Sequence, residues 1–265
     1  MRVTPRNPGW RVTVGNILVA GLLAAQPALV HGEPDNRRPA GAKQQPPATQ
    51  PAVEGRIVVA RLNYRTSSAS NGEVGDGETT RTTVDQPVCL SDDFLTTLAR
   101  ETDLPVQRHI ETVALASEAL LDHPFVIFTG SGSFALTSTQ RDALKRYIEQ
   151  GGFVLASASC SNAAWRESFE ALMSDLFADK TWQTIEADHP LRHVFYDLPR
   201  IDTKKPTDTP ALKGMTVANR LSVVYSPVGV NGTDNAAPGC CCCGGNEVTN
   251  ARLVNVNVLL YALTH

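Results

Sequence analysis

"FVIFTGSGSFALTSTQRDALKRYIEQGGFVLASASCSNAAWRESFEALMSDLF", residues 125–177, decides the fold. "FVIFTG" and "FVLASA" are short apolar runs rich in β-branched and aromatic residues, the pattern of strands buried on both faces. Between them "TQRDALKRYIEQ" repeats its apolar residues at helical spacing, with Leu144, Tyr147 and Ile148 on the inward side. Gly151 and Gly152 then supply the helix C-cap. "NAAWRESFEALMSDLF" predicts a second helix whose apolar side is Trp165, Phe169, Leu172 and Phe177. Strand, helix, strand and helix with short joints give a parallel sheet covered on both faces. The expected class is α/β, an open, mostly parallel sheet with helices on both faces.

Working outward, "RIVVARLNY" (56–64) reads as another strand buried on both faces, followed by a Gly/Ser/Thr-rich loop. "SDDFLTTLARET" (91–102) predicts a helix with Ser91 as N-cap and Phe94, Leu95 and Leu98 on one face. "LPVQRHIETV" predicts a strand and "SEALLDHP" a short helix closed by Pro124. "LKGMTVA" and "LSVVYSP" form a later strand pair that extends the sheet or folds back over it. "NARLVNVNVLLYALTH" (250–265) is read as a helix, although "VNVNV" alternates like a strand.

In an open parallel sheet the loops leaving the carboxyl ends of the strands line one crevice. The exits here are Tyr64-Arg65, Gly130-Ser131-Gly132-Ser133, Ser159-Cys160-Ser161 and the long loop after Tyr225. That last loop carries "GCCCCGGNEV" (239–248), so Cys160, the glycine turn and Cys240, Cys241, Cys242 and Cys243 are expected at one cleft, with Asn246 and Glu247 beside them.

The amino-terminal segment reads as an address. Arg2, Arg6 and Arg11 flank "VTVGNILVAGLLAA", a run of signal-peptide length and short for a bilayer span. Val30 and Gly32 are small residues at the −3 and −1 positions of a cleavage site. Residues 33–55 hold five prolines and almost no large apolar side chain, the composition of a disordered tether. The folded domain is expected over 56–265, with no stable membrane span after cleavage. Loss of the leader removes three arginines and no acids, taking the formal charge from −3 to −6. No basic stripe remains, which argues against nucleic acid as a partner. The expected location is exported and periplasmic, and the expected partner is an envelope protein or a small ligand.

Several stretches together, "FTGSGSFALTSTQRDALKRYIEQGGFVLASASC", "DHPLRHVFYDLP", "LKGMTVANRLSVVYSPVGVNGT" and "CCCCGGNEVTNARLVNVNVLLYALTH", resemble a bacterial exported family catalogued as domain of unknown function 4159. The resemblance covers roughly residues 56–265. It implies a flavodoxin-like sheet similar to class I glutamine amidotransferases and no established activity. Many relatives carry a His after the Thr-Gly pair; Ser131 stands there in this chain, which weakens any acid–base or metal role for that turn.

Three readings of the cysteines remain open. In amidotransferase-like folds a cysteine on a tight strand-to-helix turn is the nucleophile, and Cys160 has that placement with His189 as the nearest candidate base. The turn "ASCSN" lacks paired glycines, however, and no His-x-Glu pair follows the last strand. The second reading is a soft-metal site for zinc or cuprous copper. Four consecutive thiols cannot readily enclose one ion, because neighbouring side chains of an extended segment point to opposite faces. Two of them, such as Cys240 and Cys242, can share a face and meet Cys160 or His189. The third reading is structural: the cysteines pair with one another, with Cys89 or with Cys160, as suits an oxidising compartment. It needs no unseen ligand, so it leads.

Bland roles are expected for other residues. "GSGS" is a weak candidate anion cradle, since it lacks the Lys and Ser/Thr of a phosphate loop. In "GGNE" Asn246 is expected to cap the last helix, with Glu247 favoured by its dipole. His189 reads equally as a turn residue, and His193 and Tyr196 as edge residues. "NGT" at Asn231 matches a glycosylation triplet.

Overall fold

A computed structural model describes residues 55–64, 89–236, 239–240, 242 and 244–265. The expected leader and tether, Arg65, Cys241 and Cys243 lie outside the described residues.

The strands are β1 (Ala60–Asn63), β2 (Glu111–Ala114), β3 (Phe125–Gly130), β4 (Phe153–Ala158), β5 (Gln183–Thr184), β6 (Lys213–Val217) and β7 (Arg220–Ser226). The helices are α1 (Asp93–Glu101), α2 (Ser138–Glu149), α3 (Ala163–Leu176) and α4 (Ala251–Thr264). Among the described residues these strands form one seven-stranded sheet in the order β2-β1-β3-β4-β7-β6-β5. Pairings from β2 through β7 are parallel, and β7-β6 and β6-β5 are antiparallel. The parallel part is the doubly wound, flavodoxin-like arrangement, in which strand order reverses between β1 and β3.

β3 and β4 are buried at every residue, as their unbroken apolar runs predict. Their alternation divides the core. Val126, Phe128, Val154 and Ala156 pack with Leu144, Tyr147 and Ile148 of α2 and with Trp165 and Phe169 of α3. Phe125, Ile127, Phe153 and Leu155 pack with Phe94, Leu95 and Leu98 of α1 and with Val254 and Val258 of α4 on the other face. α2 starts with a full capping box, Thr137 accepting from the Gln140 N–H and Gln140 from the Thr137 N–H. Gly151 ends it at φ 107°, a backbone conformation that glycine adopts without penalty. Gly152 has no room for a Cβ, because the Tyr147 ring lies against its α-carbon.

Several expectations are corrected at their edges. β1 is shorter than "RIVVARLNY"; Arg61 is half-buried and Asn63 exposed. In "LPVQRHIETV" only the last residues join the sheet; Val106 makes an isolated bridge with Ile57. "SEALLDHP" forms a single 3-10 turn, Glu118–Asp122, held by the Ser117 hydroxyl oxygen. At α1 the position before the first helical residue is Asp92, and Ser91 accepts from the Asp93 N–H one residue further out. The strand pair β6-β7 extends the sheet instead of folding over it, and β5 adds an edge that its two polar residues do not announce.

α4 is a helix in spite of its alternation, and the reason lies in what surrounds it. Val254, Asn255, Val256, Asn257, Val258 and Leu259 are all buried. Asn257 accepts from the Tyr196 N–H (2.9 Å) and donates to the Tyr196 carbonyl (2.9 Å), while Asn255 donates to the Val230 carbonyl (2.8 Å). The asparagines thus satisfy main-chain groups of two loops that would otherwise be buried unpaired. Tyr196, expected at an edge, is instead buried, with its hydroxyl donating to Glu101 (2.6 Å).

Candidate functional site

Because β1, β3, β4 and β7 run parallel, the residues that follow them meet at one rim. Tyr64 leaves β1 and turns inward. Its hydroxyl accepts from the Trp165 indole N–H (2.7 Å) and donates to the Thr129 carbonyl (3.2 Å), and burial pushes its pKa up to about 12. This pair presses on Gly130, where a Cβ has no space. Ser131 and Ser133 are exposed. The Gly132 N–H donates to the Asn162 side-chain oxygen (3.0 Å), which also accepts from the Trp165 N–H (3.0 Å) at the start of α3. The Phe134 N–H goes to Ser168 (3.1 Å). The glycine turn therefore spends N–H groups on α3, and an anion cradle is not formed from them.

After β4 the chain makes a strained elbow. Cys160 (φ 53°, ψ 37°) and Ser161 (φ 56°) are both left-handed, a region that costs non-glycine residues on the order of 1 kcal/mol each. The elbow is held by Ser161, whose N–H donates to the Val228 carbonyl (3.1 Å) and whose hydroxyl reaches the Asn246 carbonyl (2.7 Å). Ser159, mostly buried, has its hydroxyl 3.9 Å from Cys160 Sγ.

Two disulfides cross this rim. Cys160 is bonded to Cys242 (Cα–Cα 5.0 Å, 82 residues apart) and Cys89 to Cys240 (5.4 Å, 151 residues apart). Both separations suit an ordinary disulfide. Among the described residues no cysteine is free. Cys240 and Cys242 are next-but-one neighbours in sequence and bond to different partners. Gly245 lies so close to the Cys160 carbonyl and Cβ that a side chain there has no room, and Gly229 (φ 98°) is pressed against the Ala158 carbonyl and Glu247. The cysteine loop is seated on the elbow.

Beneath it Glu247 is only 1% exposed. One carboxylate oxygen accepts from the Thr233 N–H (3.1 Å) and hydroxyl (2.8 Å), and the other from the Cys160 N–H (3.4 Å). Burial pushes its carboxyl above the ordinary range, partly opposed by these hydrogen bonds. The Thr233 hydroxyl oxygen is also 3.0 Å from Cys242 Sγ. Ligand atoms of Cys160, Cys242 and Glu247 lie within 4.8 Å of one another. With both sulfurs as thiolates this is a two-sulfur, one-oxygen donor set of the kind zinc accepts. Alongside, a cleft of about 330 Å³ opens between Asp93 at the start of α1, Thr233, Glu247, and Asn250 and Arg252 at the start of α4.

Three expected roles are corrected here. Asn246 does not cap α4, which begins at Ala251 with Asn250 at its N-cap position. It pairs instead with the main chain of Lys205, accepting from its N–H (2.9 Å) and donating to its carbonyl (2.9 Å). Glu247, expected to face the helix end, is turned into the interior. His189 is not brought to the rim either. Its Nδ1 accepts from the Leu191 N–H (3.1 Å), and its ring packs at 5.7 Å from Tyr261. Tyr261 lies ten residues into α4, about 15 Å along the helix from its rim end. With Cys160 in a disulfide and His189 at that distance, the pair does not form a nucleophile and base. His193 bridges Asp197 (2.6 Å) and the Ala187 carbonyl (2.6 Å) away from the rim.

The residues that sequence reading missed are Asn231, Thr129 and Thr233. Asn231, read as a glycosylation triplet, is fully buried. It donates to the Cys89 carbonyl (2.9 Å) and to the Thr129 hydroxyl (3.0 Å), which donates to the Ser157 carbonyl (2.7 Å). This network ties Cys89 to the ends of β3 and β4 and so aims it at Cys240. The signal was present in "NGT" itself, a polar triplet set directly after the buried run Val228–Val230.

A family model described as "Domain of unknown function (DUF4159)" matches residues 77–263, and the chain belongs to that family. No curated protein matches it.

Proposed function

We propose that this family member is an exported binding or assembly module of the cell envelope, non-catalytic in the sense of having no hydrolase or amidotransferase centre, with residues 1–32 a cleaved leader, 33–55 a tether and 56–265 the working domain. One observation carries the reading: the elbow where an amidotransferase-like nucleophile would act is bonded through Cys160 to the chain's own loop. With Cys160 held in that bond, the elbow offers no free thiol to attack an amide or ester. Two disulfides suit an oxidising compartment. No helix among the described residues is long and apolar enough to cross a membrane. The surface offered to a partner is the rim around the exposed Ser131 and Ser133, the cysteine loop, and the cleft floored by Glu247.

A photo-activatable residue placed at Ser131, on the rim, and at Gln150, exposed at the opposite end of β4, tests this in intact cells. The expected result is a discrete adduct with an envelope protein from position 131 and none from position 150. Equal adducts from both positions, or none from the rim, would overturn the reading.

A further inference from the structure

The two disulfides have different chemical surroundings. Cys89–Cys240 is flanked by main-chain groups held by Asn231. Cys160–Cys242 sits against a hydrogen-bonded line that runs from Cys242 Sγ through the Thr233 hydroxyl (3.0 Å) to the Glu247 carboxyl (2.8 Å). The Cys89–Cys240 pair lacks such a line among the described residues. A fully buried carboxyl is costly to retain, and purely structural pinning of the loop does not require one. Its placement is that of a group that gives a proton to, or takes one from, a departing or attacking sulfur.

We propose that Cys160–Cys242 is a thiol–disulfide exchange site for an external protein dithiol, with Glu247 as its proton donor and acceptor acting through Thr233. A thiolate of the dithiol attacks Cys160 Sγ and forms a mixed disulfide. The Cys160–Cys242 bond breaks, its electron pair goes to Cys242 Sγ, and that sulfur takes a proton from Glu247 relayed by the Thr233 hydroxyl. The dithiol's second thiolate then attacks the dithiol's first sulfur in the mixed disulfide and displaces Cys160 as a thiolate, which takes a proton from water. Two electrons have passed to this chain, which now holds two thiols, and the dithiol has become a disulfide. In reverse, Glu247 accepts the Cys242 proton, and the thiolate attacks a mixed disulfide at Cys160. Attack at Cys160 makes Cys242 the leaving group, and the Thr233 hydroxyl 3.0 Å from it is placed to deliver the proton. Both cysteines are only half-buried, so the attacking sulfur has access. Burial raises the Glu247 carboxyl above its usual value, which favours its holding a proton to give. The site does not depend on what binds the rim.

The test uses the full chain, dithiothreitol as the dithiol, timed quenching with an alkylating agent, and peptide mass analysis. In the native protein Cys160–Cys242 is expected to open about tenfold or more faster than Cys89–Cys240, which serves as the internal clock. Glu247→Gln and Thr233→Val are each expected to slow Cys160–Cys242 about tenfold without moving the clock, and Thr233→Ser to recover much of the loss. Equal opening rates for the two pairs in the native protein would overturn the proposal with no variant needed. So would an unchanged Cys160–Cys242 rate in folded Glu247→Gln.

Discussion

Replacing Cys89 and Cys240 together by serine is expected to lower unfolding free energy by roughly 4–5 kcal/mol, and the Cys160 and Cys242 pair by about half a kcal/mol less. The magnitudes follow from the chain each link closes, 151 residues for the first and 82 for the second. Closure entropy grows only as the logarithm of that length, so two loops of very different size give similar stabilisation. For a domain of this size the melting temperature should fall by about 10–15 °C for either pair. The two losses carry different local consequences. Without Cys89–Cys240 the start of α1 loses its tie to the loop, whereas loss of Cys160–Cys242 releases the loop from the elbow. Calorimetry on the two double variants checks this; a change below about 1 kcal/mol for either pair would mean that the loop is held by packing alone.

The second large effect lies at Trp165. Its side chain is fully buried, stacked on Phe169 at 5.1 Å and edge-on to Phe128 at 5.7 Å, and its N–H is the donor to Tyr64. Trp165→Ala removes this packing and leaves the Tyr64 hydroxyl without its donor. The expected cost is about 4 kcal/mol by chemical denaturation. Trp165→Phe keeps most of the apolar volume and gives up the hydrogen bond, for an expected cost of about 1–2 kcal/mol. A difference between the two variants near zero would place Trp165 outside the set of contacts that holds β1, β3 and α3 together.

The central part of the fold was legible because physics acts locally there. The runs of β3 and β4, the caps around α2 and the spacing of Trp165 and Phe169 each point to one answer, and tertiary contacts agree with them. Parallel strand direction then fixed which loops share a rim, and this brought Cys160 and the cysteine loop together from distant positions. What could not be read depended on contacts across the chain. Asn255 and Asn257 look like the polar half of a strand until the Val230 and Tyr196 main chains are placed beside them. Asn246 has the composition of a cap, yet its side chain is engaged by Lys205, forty-one residues away. Glu247 sits near a helix start and would be expected to favour its dipole, but Thr233 and the Cys160 N–H draw it inside. His189 was attractive as a base only while its packing against Tyr261, far along α4, was unknown.

The central claim is that one loop is pinned at two separate places, the exit of β4 and the segment just before α1. Peptide mapping of the oxidised protein, digested without reduction and fragmented finely enough to separate adjacent cysteines, tests it most directly. The account predicts one linked peptide joining Cys89 to Cys240 and another joining Cys160 to Cys242. A Cys89–Cys160 link, or alkylation of Cys160 in the unreduced protein, would contradict it.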